Sequence, residues 1–134
     1  MLLSEIITTL EAKRLLGLED YDCEVEAACA SDLMSDVLRF IKPGALLLTG
    51  LTAPQVVYTA EVADIALICF VRGKTPLEDT LRLAEARGLV LLSTHLPMFE
   101  SCGRLYKAGL KGCSENQVAE ALDSRRDAAR SRVG

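Results

Sequence analysis

Tryptophan is absent from this chain, and phenylalanine and tyrosine together make up only 4% of its 134 residues. A single-stranded nucleic acid therefore has no aromatic platform on which to stack. Nor is there a basic excess: 15 Lys and Arg face 19 Asp and Glu, a net charge of −4, which argues against general binding to nucleic acid or to an anionic membrane. No apolar run approaches the roughly 20 residues of a membrane helix. The opening Met1-Leu2-Leu3-Ser4-Glu5-Ile6-Ile7 has neither a basic start nor a small-residue cleavage site, so no export signal is read and a cytoplasmic protein is expected. The five cysteines (Cys23, Cys29, Cys69, Cys102, Cys113) are an odd set without Cys-x-x-Cys spacing, and His95 is the only histidine. Neither a zinc site nor a disulfide framework is expected from that set, and unbridged thiols are. Phosphate-binding Gly-x-x-x-x-Gly-Lys-Ser/Thr and dinucleotide-binding Gly-x-Gly-x-x-Gly strings are missing too, which speaks against phosphoryl transfer from ATP.

What is present is hydrophobic patterning. Half of the residues are hydrophobic, enough for one domain with a real core. Three apolar runs, Ala45-Leu46-Leu47-Leu48-Thr49, Ile65-Ala66-Leu67-Ile68-Cys69-Phe70 and Leu89-Val90-Leu91-Leu92-Ser93-Thr94, recur at nearly constant intervals. They are apolar on both faces, as parallel strands covered by helices are. Helical spacing over residues 54–63 and 77–87 separates them. The second of these has Thr75 as expected N-cap, Pro76 as first helical residue and Gly88 at its end. A first helix is expected over residues 3–15 with Ser4 as N-cap, and a half-buried strand over residues 23–30. Another helix starts at Asp32, with Leu33, Val37, Leu38 and Ile41 on one face, and Pro43-Gly44 stops it. An amphipathic helix over residues 97–110 is expected to turn Phe99, Cys102, Leu105 and Tyr106 inward. Ser114-Glu115-Asn116-Gln117 has the form of a capping box, and the arginine-rich stretch after it reads as a solvated helix or tail. The fold class is thus α/β: a single three-layer domain with a mostly parallel sheet flanked by helices, in residues 1–112, followed by a tail in residues 113–134.

The Ser31-Asp32-Leu33-Met34-Ser35-Asp36-Val37-Leu38 segment followed by Pro43-Gly44-Ala45-Leu46-Leu47-Leu48-Thr49-Gly50 resembles the DRTGG domain family. So do the strand leading to Gly73-x-x-Pro76, the helix closed by Gly88, and the strand at residues 89–94. The resemblance covers roughly residues 1–110. It implies a fold similar to the N-terminal domain of HPr kinase/phosphorylase. It also implies kinship with modules found beside cystathionine-β-synthase-type (CBS) domain pairs, in bacterial phosphotransacetylases and near iron-only hydrogenase genes. The implied role is regulatory or ligand-sensing rather than catalytic. The eponymous Asp-Arg-Thr-Gly-Gly string is absent, and Val71-Arg72-Gly73 stands where relatives carry Thr-Gly-Gly.

Each strand in such a sheet ends at one rim, so the expected ligand-contacting set is Ser31, Asp32, Ser35, Thr49, Gly50, Arg72, Gly73 and Thr94. Asp32 has two readings. Either it or Ser31 caps the helix, where the dipole favours a carboxylate by about 0.3–1 kcal/mol, or with Asp36 on the same face it contacts a ligand hydroxyl or a cation. Backbone amides in Thr49-Gly50-Leu51-Thr52 are candidates to cradle an anion, and Arg72 and Lys74 bring positive charge beside them. His95 lacks a partnered nucleophile and reads as a loop residue. The leading expectation is a non-catalytic module that binds a small anionic ligand, a nucleotide among the candidates, with no cofactor, metal, nucleic acid or membrane. A homodimer is expected from the hydropathy, through Ile6, Ile7 and Leu10 of the first helix and through Phe99 and Tyr106. The alternatives are a protein–protein interaction module without a small ligand, and a small enzyme built on His95.

Overall fold

The structure, a computed structural model, describes residues 1–113 and residue 125. The helix and tail expected beyond Ser114 lie outside the described residues. The three apolar runs form β3 (Leu46–Thr49), β4 (Leu67–Phe70) and β5 (Val90–Ser93), adjacent and parallel, in register from Leu46↔Leu67 and Leu67↔Val90. Every residue of β3 and β4 is buried. A short β2 (Ala27–Ala30) joins β3 in parallel, and two-residue β6 (Lys111–Gly112) joins β2. The remaining strand, β1 (Lys13–Leu16), pairs antiparallel with β5, giving the order β1-β5-β4-β3-β2-β6.

The crossovers α2 (Met34–Phe40), α3 (Gln55–Ala63) and α4 (Glu78–Ala86) carry the chain stepwise across the sheet. They pack Met34, Val37, Val56, Val57, Ala60 and Ala84 on Leu47, Ile68, Phe70 and Leu91. The opposite face, presenting Leu46, Leu48, Cys69 and Leu92, is covered by α1 (Leu3–Thr9) through Leu3 and Ile6 and by α5 (Met98–Lys107) through Leu105. α5 is the return connection that brings the chain from β5 back to β6, beyond β2. The travel reverses there, and the helix lies on the other face, as a right-handed crossover requires. A right-handed, double-covered sheet is the expected α/β architecture.

Several local expectations are corrected. The first helix stops at Thr9, and residues 13–16 leave it to become β1. Glu11 adopts φ 51°, its N–H bonding Thr8 O and the Ala12 N–H bonding Ile7 O, a Schellman end built without glycine. Ser4 does not cap α1. Its hydroxyl donates to Asp22 (2.7 Å), and with the Ser4 amide it holds the Asp22 carboxyl below its ordinary pKa. The strand expected from Cys23 begins only at Ala27. α2 buries Met34 and Val37, while Leu33 and Leu38 face solvent. On α5, Ser101 and Leu105 are buried, whereas Phe99 and Tyr106 point outward. The N-cap of α4 is Leu77 rather than Thr75, so Pro76 precedes the helix. Its start is pinned by two bonds to the Thr52 carbonyl, from the Leu77 amide (3.1 Å) and the Thr80 hydroxyl (2.7 Å). Gly88, at φ 69°, ends α4 as expected.

Two stability outcomes follow from this packing. Phe70 is fully buried beneath α3 and α4, so Phe70→Ala is expected to cost about 3–5 kcal/mol in denaturant unfolding. A loss under 1 kcal/mol would show that the face is not packed as described. A Cβ at Gly88 meets nothing within 4 Å, so Gly88→Ala isolates the left-handed backbone strain and is expected to cost about 1–2 kcal/mol. An unchanged midpoint would refute that conformation.

Candidate functional site

β2 and β3 end side by side, with Ala30 opposite Leu48 and the Ser31 amide donating to Leu48 O (3.1 Å). Ser31 then closes a tight turn on itself, its Oγ accepting the Leu33 N–H (3.0 Å) as α2 begins. That turn sets Asp32 against the end of β3. Its Oδ1 accepts the Gly50 N–H (2.6 Å) and the Thr49 hydroxyl (3.2 Å), while Thr49 Oγ1 accepts the Leu51 N–H (3.1 Å). The capping reading of Asp32 is therefore corrected: the N-cap of α2 is Leu33, without a side-chain cap bond. An amide released at a strand end makes a stronger, charge-assisted bond to a carboxylate in reach than to water. The Gly50 and Leu51 amides, candidates to cradle an anion, are already occupied by the chain's own oxygens.

Gly50 is the centre of the arrangement. A Cβ placed on it would lie 3.3 Å from Asp32 Oδ1, 3.5 Å from Asp32 Oδ2 and 3.4 Å from Lys74 Nζ. Its φ lies outside the left-handed region, so glycine serves here for space rather than for dihedral freedom. Lys74 Nζ donates to Gly50 O at 3.4 Å. A carboxylate and an ammonium thus converge on one bare patch of backbone without forming an ion pair within 4 Å among the described residues. Sequence reasoning counted Lys74 only as nearby charge. The signal for its role is a cation one residue past the turn glycine at a strand end.

The neighbouring loop carries Arg72 (φ 63°) and Gly73 (φ 68°), both left-handed. Its amides are spent internally: Arg72 on Leu96 O (2.9 Å), Gly73 on Thr94 O (2.8 Å) and Lys74 on Val71 O (3.2 Å). The Arg72 side chain is exposed and has no hydrogen-bond or ion-pair partner among the described residues. Thr94 is buried, its hydroxyl donating to Leu10 O (2.5 Å) and accepting the Leu96 N–H (3.2 Å). Ser35 lies exposed on the first turn of α2. Of the expected set, the structure joins Asp32, Thr49 and Gly50, adds Lys74, and carries Arg72 and Gly73 on the adjoining loop. It does not bring the Thr94 hydroxyl to this cluster.

Nucleophilic chemistry finds little support. His95 is exposed, its Nε2 3.8 Å from Glu11 Oε2, an oxygen shared with Arg104 Nη1 (3.2 Å). Burial pushes the Cys69 thiol up to about 12 and, with nearby Cys113 adding to it, the Cys29 thiol up to about 11. Neither is a thiolate at neutral pH. No three metal-ligating side chains gather among the described residues, and no helix there is long and apolar enough to cross a membrane. A cavity of about 440 Å³ lies at the far end of the strands, against Leu16, Leu18, Tyr21, Leu89 and Val90. No lysine or arginine lines it, so an anion gains nothing there.

No protein-family model matches the chain, and no curated protein does. Among solved structures, the chain is similar to the crystal structure of the CBS and DRTGG domains of the regulatory region of Clostridium perfringens pyrophosphatase, complexed with its activator, diadenosine tetraphosphate. The TM-score is 0.58 at 17% sequence identity, over 77% of this chain and 45% of that one. This chain therefore spans less than half of the neighbour's length, and the likeness is one of fold. The chain has a DRTGG-like α/β fold.

Proposed function

We propose that this chain is a non-catalytic, ligand-sensing module that binds a small anionic ligand at the carboxyl ends of β2, β3 and β4, with a nucleotide as the leading candidate. The observation that carries this reading is Gly50, left bare between Asp32 and Lys74, with the unpartnered Arg72 guanidinium on the adjoining loop. Sheet order supports the same place. Ligands of open α/β sheets bind outside the strand ends where the direction of connection reverses, here between β2 and β6, which flanks the cluster on its Asp32 side. The neighbour's regulatory region binds a nucleotide activator, which supports the ligand class. With the Gly50 and Leu51 amides occupied, the side chains of Lys74 and Arg72 supply the charge that neutralises the anion.

A nucleotide at 100 times its Kd is expected to stabilise the chain by about 2.7 kcal/mol through mass action, read as a thermal shift. Lys74→Ala and Arg72→Gly are each expected to reduce that shift. Arg72→Gly is the sharper variant. Glycine relieves the left-handed strain while gaining freedom in the unfolded chain, so the ligand-free stability stays within about 1 kcal/mol. A large intrinsic loss would mark Arg72 as structural, and a shift untouched in both variants would move the ligand elsewhere.

One observation favours a second reading, self-association: Phe99 on α5 is 88% exposed. Of the first-helix contribution expected from sequence, Ile6 and Leu10 are fully buried in the chain's own core and only Ile7 is partly exposed. A homodimer through α5 is expected to scatter light as twice 14.5 kDa at micromolar concentration and to revert to one chain in Phe99→Asp. A single-chain mass for the unmodified protein would sink it.

A further inference from the structure

We propose that Asp32 and Lys74 act together as a two-point reader of a ligand that carries a hydroxyl beside its anionic group, the chemistry of a sugar phosphate such as the ribose phosphate of a nucleotide. This rests on the anion-binding reading above and sharpens it. The two oxygens of Asp32 have different duties. Oδ1 takes both protein donors, the Gly50 N–H and the Thr49 hydroxyl, which fix the carboxylate plane. Oδ2 accepts no hydrogen bond among the described residues, yet it lies with Lys74 Nζ within 3.5 Å of one point above Gly50. A carboxylate oxygen only accepts and an ammonium only donates, so the patch asks for one donor and one anion from the same molecule.

Simpler ligands satisfy only half of it. Inorganic phosphate gains Lys74 but meets the Asp32 charge, and a neutral polyol gains Asp32 but makes no use of the Lys74 charge. A hydroxyl within reach of Oδ2, on a ligand whose phosphate faces Lys74, uses both. The carboxylate thereby selects against bare anions as well as for hydroxylated ones. A hydrogen bond to a charged group discriminates strongly, because the analogue lacking the hydroxyl leaves the acceptor unpaired.

The test compares AMP, 2′,3′-dideoxy-AMP and inorganic phosphate by calorimetric titration at fixed salt. The unmodified protein is expected to bind AMP about tenfold or more tightly than the dideoxy analogue, and phosphate more weakly than AMP. Asp32→Asn retains an oxygen for the Gly50 and Thr49 donors but presents an amide where Oδ2 was. It is expected to bring the AMP-to-dideoxy ratio close to one and, with the repelling charge gone, to tighten inorganic phosphate. Lys74→Met is expected to weaken both nucleotides together and leave their ratio unchanged. Equal affinity of AMP and the dideoxy analogue for the unmodified protein overturns the two-point reader while anion binding stands, and that comparison does not depend on any variant folding. Persistence of the ratio in a folded Asp32→Asn protein overturns it as well. If none of the three ligands binds, the anion-binding reading itself falls, and the reader falls with it.

Discussion

Covering both faces of β3, β4 and β5 is the constraint on which the rest of the molecule depends. These strands hold residues such as Leu47, Ile68 and Leu91 on one side and Leu48, Cys69 and Leu92 on the other, all at or near zero exposure. Neither side tolerates water, so each needs its own layer of helices. Successive parallel strands supply one layer through α2, α3 and α4, and the return through α5, together with α1, supplies the second. With both faces filled by hydrocarbon, polar chemistry is confined to the strand ends, and the short β–α turns there set residues 32, 50 and 74 side by side.

How far the sequence discloses this depends on whether a signal is local. The double-sided runs and the α4 stop at Gly88 are local, and they were readable. The helix ends show the contrast well. α1, α3, α4 and α5 each finish in a left-handed residue followed by an amide reaching back five positions, as in Ala12 to Ile7 and Leu89 to Ala84. Gly88 and Gly109 advertise two of those ends, whereas Glu11 and Asp64 hide the others behind residues that rarely take φ near 51° or 56°. With the stop at Glu11 invisible, Leu15 looked like another turn of helix rather than part of β1, which is held by pairing to a strand some 80 residues away. The outward turn of Phe99 and Tyr106 was illegible for a similar reason. Ser101 and Leu105 take the inward face, with a small hydroxyl residue rather than Phe99 fitting against the core, which a hydrophobic count does not weigh.

The candidate site was legible in its membership more than in its bonding. Asp32, Thr49, Gly50 and Arg72 could be nominated as strand-end residues, and Lys74 as added charge. That the carboxylate would take the Gly50 amide, one of those considered for an anion, required knowing that β2 and β3 are neighbours. That pairing changes the electrostatics of the rim. The Gly50 and Leu51 donors are satisfied from within, and two long side chains supply the positive charge beside them.

Thr94 has a consequence for how the rim behaves in time. Its backbone is bonded to Phe70 and Gly73, its hydroxyl to Leu10 and Leu96, so the loop carrying Arg72 is riveted to β4, to β5 and to the end of α1. A platform already ordered loses little freedom when something lands on it, and association carries a small entropic cost. Such a surface communicates less by folding around its visitor than by the charge it gains or cancels there.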